Sequence, residues 1–255
     1  SRSSALRPMS AHHRSAIITM CAGSAPTTTT TMGTIITMTT IMASAFDYLR
    51  DPAEIYRRSF ELIDEAVDLS VLPGDMRGVA SRLVHACGMP DIIDDLVFSD
   101  GAATIGQAAL ENGAPILVDA EMVGAGIIRK RLSRHNDIIC TLNDTGVPAL
   151  AKTLATTRSA AALELWREHM NGSVIAIGNA PTALFRLLEL LDEGWPKPAL
   201  VLGFAVGFVG AAESKQALVE MAPGLDVPFI ALRGKRGGSA LAASAVNALA
   251  MDEQA

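Results

Sequence analysis

Six short apolar runs, each followed by a helical stretch, restrict the folds open to this chain more than any other feature. The runs are Asp95–Phe98, Pro115–Val118, Asp137–Leu142, Ser173–Ile177, Ala199–Phe204 and Pro228–Leu232. Helix-like segments follow at Ala102–Asn112, Glu121–Arg131, Pro148–Met170, Ala180–Leu191, Ala212–Met221 and Gly238–Ala250. Near-continuous Val, Ile and Leu suit strands covered on both faces, and strand–helix–strand order suits parallel neighbours joined by crossover helices. The predicted fold class is α/β, with three layers (α/β/α) around a mainly parallel sheet. Two more helices are expected ahead of the first strand. One opens at Asp51-Pro52-Ala53-Glu54, a capping aspartate with proline in the first turn and glutamate at N3. The other runs to Cys87 and stops at Gly88.

In open α/β sheets, ligands lie beyond the carboxyl ends of the strands. The residues at those ends are Ser99-Asp100-Gly101, Asp119, Asn143-Asp144, Gly178-Asn179-Ala180-Pro181-Thr182, Gly203 through Phe208, and Arg233-Gly234-Lys235-Arg236-Gly237-Gly238-Ser239. Small and polar residues are thus expected at one rim six times over. Asn179 and Thr182 offer an amide and a hydroxyl to a ligand, or serve as ordinary helix capping. Arg233, Lys235 and Arg236 ride a glycine-rich loop into a helix start, where side chains and backbone N–H groups can hold carboxylates or phosphates. The same loop also reads as a solvated basic turn.

Composition narrows the function classes. With 49% hydrophobic and 19% charged residues the chain has material for one large core. No linker divides it, so residues 47–255 are expected to form a single domain. Residues 1–46 stand apart: they hold Arg2, Arg7 and Arg14, no acid, and a threonine-rich run, Thr27–Thr31. That segment reads as transit-peptide-like, as a disordered tail, or as translated upstream sequence with Met42 as the natural start. The remainder carries 18 basic against 27 acidic side chains, a formal charge of −9, which opposes general polyanion binding. Aromatics are 4%, too few for a base-stacking surface, so no nucleic-acid partner is expected. The longest apolar stretch, Ala199–Ala212, is broken by three glycines and is too short to span a bilayer, so no membrane partner is expected either. Cys21, Cys87 and Cys140 form no C-x-x-C pair and read as reduced thiols of a cytoplasmic protein.

Familiar catalytic signatures are missing from the sequence. It contains no P-loop, no G-x-G-x-x-G after the first strand, no H-x-x-E-H and no G-x-S-x-G. Gly203-x-x-x-Gly207-x-x-Gly210 comes late, and suits close packing as well as ligand approach. His85 is the histidine that draws attention, flanked by Leu83, Val84 and Ala86, because an imidazole moves a proton at neutral pH without help. A hydrogen-bonded core histidine is the plainer alternative. His12 and His13 lie in the leader, His135 in a polar turn, and His169 at a helix end. Thr156-Thr157-Arg158-Ser159 is expected mid-helix, as a ligand-facing turn or an exposed face.

Taken together, several stretches resemble the precorrin-8X methylmutase family of cobalamin biosynthesis. They are Ser81-Arg82-Leu83-Val84-His85-Ala86-Cys87-Gly88, Val118–Val123, Thr157–Ala161, Ile177–Leu184, Val206–Lys215 and Gly237–Ala240, in the family's order across about Tyr48 to Ala250. The resemblance implies a Rossmann-like fold and an isomerase that moves a methyl group between adjacent ring carbons (a 1,5-sigmatropic shift), converting precorrin-8X to hydrogenobyrinate. It implies a homodimer with active sites near the subunit interface, no cofactor and no metal. By the same resemblance His85 is the catalytic, proton-donating residue, and Ser59, Arg82 and Arg158 contact substrate. Asn179, Thr182, Arg233 and Lys235 are the further binding candidates. Alternatives are cobalt-precorrin-8 methylmutase of the anaerobic route, a non-catalytic tetrapyrrole carrier, and a nucleotide-dependent enzyme, the last opposed by the missing phosphate loop. Two stretches depart from the family pattern: Thr145-Gly146 after Asn143-Asp144, where proline is expected, and Gly124-Ala125.

Overall fold

The computed structural model describes residues 46–250, so the acid-free leader, Cys21 and the Met42 start lie outside the described residues. From Tyr48 onward the described residues belong to one compact unit. Its strands are β1 Leu96–Phe98, β2 Ile116–Val118, β3 Ile138–Ile139, β4 Val174–Ile177, β5 Leu200–Gly203 and β6 Phe229–Leu232. Its α-helices are α1 Pro52–Ala66, α2 Gly74–Cys87, α3 Ala102–Glu111, α4 Glu121–Gly126, α5 Val147–Thr153, α6 Arg158–Ala162, α7 Pro181–Asp192, α8 Ala211–Leu225 and α9 Ser239–Leu249. The strands form one sheet in the order β1-β6-β5-β4-β2-β3, parallel throughout except that β1 runs antiparallel to β6.

Alternation along each strand builds the two cores. Ile116, Val174, Ala176, Leu200, Leu202 and Ile230 face one layer, which α2, α3, α4 and α9 cover. Leu117, Ile175, Ile177, Val201, Phe229 and Ala231 face the other, against α7, α8 and the segment Leu163–Met170. Every one of these strand residues is buried, and each large aliphatic side chain so placed contributes about 1.5–3 kcal/mol. That two-sided burial is why the strands read as continuous apolar runs.

The predicted capping of α1 is present: the Asp51 side chain accepts the Glu54 N–H at 2.8 Å. Four expectations need correction. The Pro148–Met170 helix is three pieces, because the Thr157 side chain accepts the Ala160 N–H and starts α6 afresh, while Leu163–His169 tightens to a 3₁₀ helix. Thr157 and Arg158 therefore stand at a helix start rather than mid-helix. The Glu121–Arg131 helix stops at Gly126, with a 3₁₀ turn at Arg129–Arg131. The Asp137–Leu142 strand shrinks to two residues at the sheet edge. Finally, reversal of β1 carries Ser99-Asp100-Gly101 to the rim opposite the other strand ends, where Ser99 exchanges hydrogen bonds with Phe229.

The early stop of α4 has a visible cause. Asn247 on α9, nearly buried, accepts the Ile128 N–H at 2.7 Å and donates to the Gly126 carbonyl at 2.9 Å. One side-chain amide thus satisfies a carbonyl that the helix end leaves open and the N–H of the second residue beyond it. Replacing Asn247 with alanine orphans both, and the expected cost is about 2–4 kcal/mol. Urea unfolding measures it, and a loss below about 0.5 kcal/mol, the usual scatter of a neutral substitution, contradicts this assignment.

Candidate active site

The β1 reversal decides where His85 stands. Leu96 at the start of β1 pairs with Leu232 at the end of β6, so the chain enters β1 from the rim formed by the carboxyl ends of β2, β4, β5 and β6. The segment feeding β1 is the 3₁₀ turn Pro90–Asp95, and before it lies Gly88, the left-handed stop of α2. His85 occupies the last turn of α2, so it reaches that same rim. Leu83 and Val84 turn into the core, whereas His85 is exposed. A core histidine is thereby set aside.

Around His85 the side chains are ordered by contact. Ser59 Oγ lies 2.9 Å from His85 Nδ1, and the Phe60 ring stacks on the imidazole at 4.8 Å with a 14° interplanar angle. Both come from α1, which fixes one ring nitrogen and one ring face and leaves Nε2 as the nitrogen available to a ligand. Arg82, one turn earlier on α2 and only 8% exposed, hydrogen-bonds the Tyr56 hydroxyl and lies over the Tyr56 and Phe60 rings. Its backbone carbonyl accepts the Ser244 hydroxyl at 2.9 Å, tying α2 to α9. Partial burial, and then the Arg82 charge, hold the His85 pKa below its ordinary 6.5. The ring is therefore mostly neutral at pH 7 in the free protein.

Two other groups of predicted residues share the rim without touching this one. Arg158 begins α6 and is exposed, and beside it Thr157 Oγ1 meets Thr182 Oγ1 of α7 at 2.8 Å. Asn179 is exposed at the end of β4. Arg233 and Lys235 are exposed beyond β6, with Lys235 Nζ 5.2 Å from the Phe208 ring. Arg236, which completes the basic loop in the sequence, is committed elsewhere: it pairs with Asp91 at 2.6 Å and Asp95 at 2.5 Å. That clamp fastens the loop beyond β6 to the segment that follows His85. Ends of β6 and β4 stand two strands apart, about 10 Å, a separation a macrocycle can bridge.

Asp119 was legible only as a polar strand end, yet it builds the floor beneath Asn179. Its carboxylate accepts the backbone N–H groups of Gly178, Asn179 and Ala180 at 2.8, 3.0 and 2.7 Å. Burial pushes its pKa up and those three donors oppose the rise. Used purely as an acceptor, the group works in its ionised form. Gly178 must lack a side chain, since a Cβ would lie 2.8 Å from Val123 and Ala242. The signal was present in the sequence as Val118-Asp119 and Gly178-Asn179, but no rule of spacing joins positions 59 residues apart. Tyr56 and Phe60, both on α1, are further residues of this site that the sequence did not single out.

Both departures from the family pattern find a local account. Asp144 Oδ1 accepts the Gly146 N–H at 2.8 Å, so a side-chain turn shapes that loop without proline. At Gly124 a Cβ would sit 3.3 Å from Ile138 Cγ2, so the edge strand leaves little room there.

A cleft of about 940 Å³ opens between α1, α2, α3 and α9, bordered by Tyr56, Phe60 and Arg82. Its remaining walls carry Arg57 as well as Glu61, Asp64, Asp75 and Glu111, and His85 does not line it. The cleft thus sets Arg82 and Arg57 among carboxylates, whereas Arg158, Arg233 and Lys235 stand exposed at the rim. Among the described residues, no three His, Cys, Asp or Glu side chains cluster as a metal ion would require.

A Rossmann-like α/β protein is thus defined, with a solvent-accessible imidazole, a partly buried guanidinium beside it, and cations spread along one sheet rim. A precorrin-8X methylmutase family model matches residues 54–251, and the chain belongs to that family. The precorrin-8X methylmutase of Pseudomonas aeruginosa is 59% identical over 208 residues, 82% of this chain and 99% of that protein. The cobalt-precorrin-8 methylmutase of Priestia megaterium is 35% identical over 201 residues, 78% of this chain and 88% of that protein. The crystal structure of precorrin-8X methylmutase from Thermus thermophilus superposes with a TM-score of 0.69 at 36% identity, covering 78% of this chain and 94% of that one.

If Arg82 depresses the His85 pKa as the geometry implies, Arg82→Met raises it toward 6.5 in the ligand-free protein. Proton NMR titration of the imidazole resonances, assigned by the signal lost in His85→Ala, measures this. An unchanged or lower value contradicts the assignment.

Proposed function

We propose that this chain is a precorrin-8X methylmutase: it isomerises precorrin-8X to hydrogenobyrinate by shifting a methyl group between adjacent ring carbons. The observation that carries the reading is the environment of the exposed His85, where Ser59 anchors Nδ1 and Phe60 supports the ring face, so that Nε2 is the nitrogen left for a ligand. An isomerisation of this kind has no net redox change and no leaving group. It needs one tautomer of the substrate selected and held, which a proton lent at one position and returned afterwards accomplishes.

The pKa direction fits a substrate-triggered donor. In the free protein His85 is held neutral by burial and by Arg82. A peripheral carboxylate arriving at Arg82 cancels the repulsion and raises the imidazole pKa, so the proton is taken up as the substrate binds. Arg158, Arg233 and Lys235 supply further charge-assisted contacts, and Asn179 and Thr182 supply neutral ones. Ser59 keeps the ring oriented in either protonation state, accepting from Nδ1–H or donating to Nδ1.

The metal-free substrate is favoured over the cobalt-loaded one by the relatives: 59% identity to a protein named for precorrin-8X against 35% to one named for cobalt-precorrin-8. Turnover of each form, followed by absorbance, tests this choice. A homodimer with the site near its interface is part of the same reading. Phe208 and Val209 are 86% and 89% exposed at the rim, and Met122 is 72% exposed at the start of α4, an apolar surface suited to burial by a second copy. Sedimentation of the purified protein tests it, and a monomer at micromolar concentration rules it out. Cytoplasmic location is supported by free thiols at Cys87 and Cys140.

His85→Ala is expected to abolish turnover while hydrogenobyrinate still binds, since the cations stay in place. Calorimetry of product binding in buffers of different ionisation enthalpy should show proton uptake near pH 6.5 in the wild type and none in the variant. Normal turnover by His85→Ala, or proton release instead of uptake, removes the mechanism.

A further inference from the structure

Lys215 is a charge the proposed chemistry does not use, and its burial is close to complete. It lies on α8 at 1% exposure. Its Nζ donates to the Arg236 backbone carbonyl at 2.5 Å, the single hydrogen bond recorded for it among the described residues. Burial pulls its pKa down to about 8, and the Asp95 carboxylate resists that fall. A buried ammonium with one acceptor costs the fold free energy, and a nonpolar side chain of similar volume would avoid that cost.

What this cost secures is visible in the backbone around it. The loop beyond β6 and the loop beyond β5 are stitched together: the Gly207 N–H donates to the Lys235 carbonyl at 3.2 Å and the Gly238 N–H to the Phe204 carbonyl at 2.8 Å. Gly237 lies so close beneath β5 that a Cβ there would meet the Phe204 carbonyl oxygen at 2.2 Å. Lys215 grips the residue between those contacts, immediately after Lys235. The Arg236 side chain meanwhile points away to Asp91 and Asp95. The backbone of Arg236 is therefore held from α8 while its side chain is held from the His85 side. Lys235, whose ammonium sits over Phe208, is the exposed cation that results.

We propose that Lys215 is a positioning residue for the known family reaction: by holding the Arg236 carbonyl it sets the conformation of the 233–238 loop, and so places Lys235 and Arg233 for substrate carboxylates. This rests on the methylmutase reading above. Lys215 itself touches no substrate. Its role is to remove loop freedom before binding, so its loss should weaken binding without altering the proton step at His85.

The test uses the full chain with precorrin-8X as substrate and hydrogenobyrinate as the binding probe. Lys215→Met, similar in size and unable to donate, should raise KM and the product Kd about tenfold while kcat stays within about twofold. Its Tm should equal or exceed that of the wild type, because the buried charge is gone. Lys215→Gln keeps an N–H donor for the carbonyl and should recover much of the affinity. A Lys215→Met protein with wild-type KM and Kd overturns the proposal, and so does one whose kcat and Tm fall together at unchanged KM. If Lys215→Met does not fold, Lys215→Leu, which also cannot donate, decides: raised KM with retained kcat supports the role, and wild-type KM overturns it. A wild-type protein that neither turns over precorrin-8X nor binds product defeats the methylmutase reading instead.

Discussion

Pairing of Leu96 with Leu232, the start of one strand against the end of another, is the constraint on which the site depends. A parallel β1 would have to be entered from the opposite rim. Four strand residues span about 13 Å, so the last turn of α2 would then lie at least that far from the ends of β4, β5 and β6. Reversal removes the separation. The chain leaves α2 at Gly88, crosses Pro90–Asp95 along the rim and drops into β1. Arg236 then pins this crossing by its two aspartate contacts, so the imidazole-bearing helix end and the basic loop beyond β6 are mechanically joined. The same antiparallel edge moves Ser99 away, which takes one polar strand end out of the site and converts it to a structural tie with Phe229.

Electrostatics explain how an acidic protein can recognise an acidic ligand. The body outside the leader is formally −9, so long-range steering does not favour a polycarboxylate, and affinity must come from short-range contacts at fixed geometry. The cations that remain at the rim are of two kinds. Arg82 is sandwiched among aromatic rings and nearly buried, where its field is weakly screened and reaches His85. Arg158, Arg233 and Lys235 are exposed, where solvent screens their fields. Two unit charges 4 Å apart interact by about 4 kcal/mol at the effective dielectric of a protein surface. One pKa unit is about 1.4 kcal/mol. A carboxylate that neutralises Arg82 therefore raises the imidazole pKa by relieving the second cause of its depression, while burial, the first, remains.

Legibility in the sequence followed the range of the interactions. Strand positions were readable because burial on both faces writes a continuous apolar run, and α1 was readable because Asp51 and Glu54 interact three residues apart. Helix breaks were not. Thr157 looks like an ordinary mid-helix threonine until its side chain is seen capping Ala160, and the stop of α4 is dictated by Asn247, over a hundred residues away. The direction of β1 was likewise invisible, since a three-residue apolar run carries no sense of orientation. His85, Ser59 and Arg82 were identified through family likeness, and the structure brings these three together. The local pattern alone favoured a core histidine, because helical geometry, not the identity of its neighbours, decides that Leu83 and Val84 face inward while His85 faces out. The Asp119 network and the Lys215 grip needed the fold itself, because each joins separate crossovers.

Two buried charges at this rim show how the fold divides its tolerance for strain. Asp119 is met by three backbone donors, which rigidify the turn beyond β4 and offset part of the burial that raises its pKa. Lys215 has one carbonyl and a neighbouring carboxylate, and its lowered pKa registers the shortfall. If stability were the only requirement, an apolar residue at 215 would serve the same core better, as it does where buried ion pairs are replaced. The exposed Phe208 and Val209 on the adjoining loop violate the ordinary pattern in the opposite sense, leaving apolar surface in water. Violations of both kinds, a buried cation on α8 and bared apolar tips, meet at the two loops stitched together beyond β5 and β6. Departures of this kind from the ordinary burial pattern are what functional loops show, and here a buried cation and exposed apolar tips meet at adjoining loops.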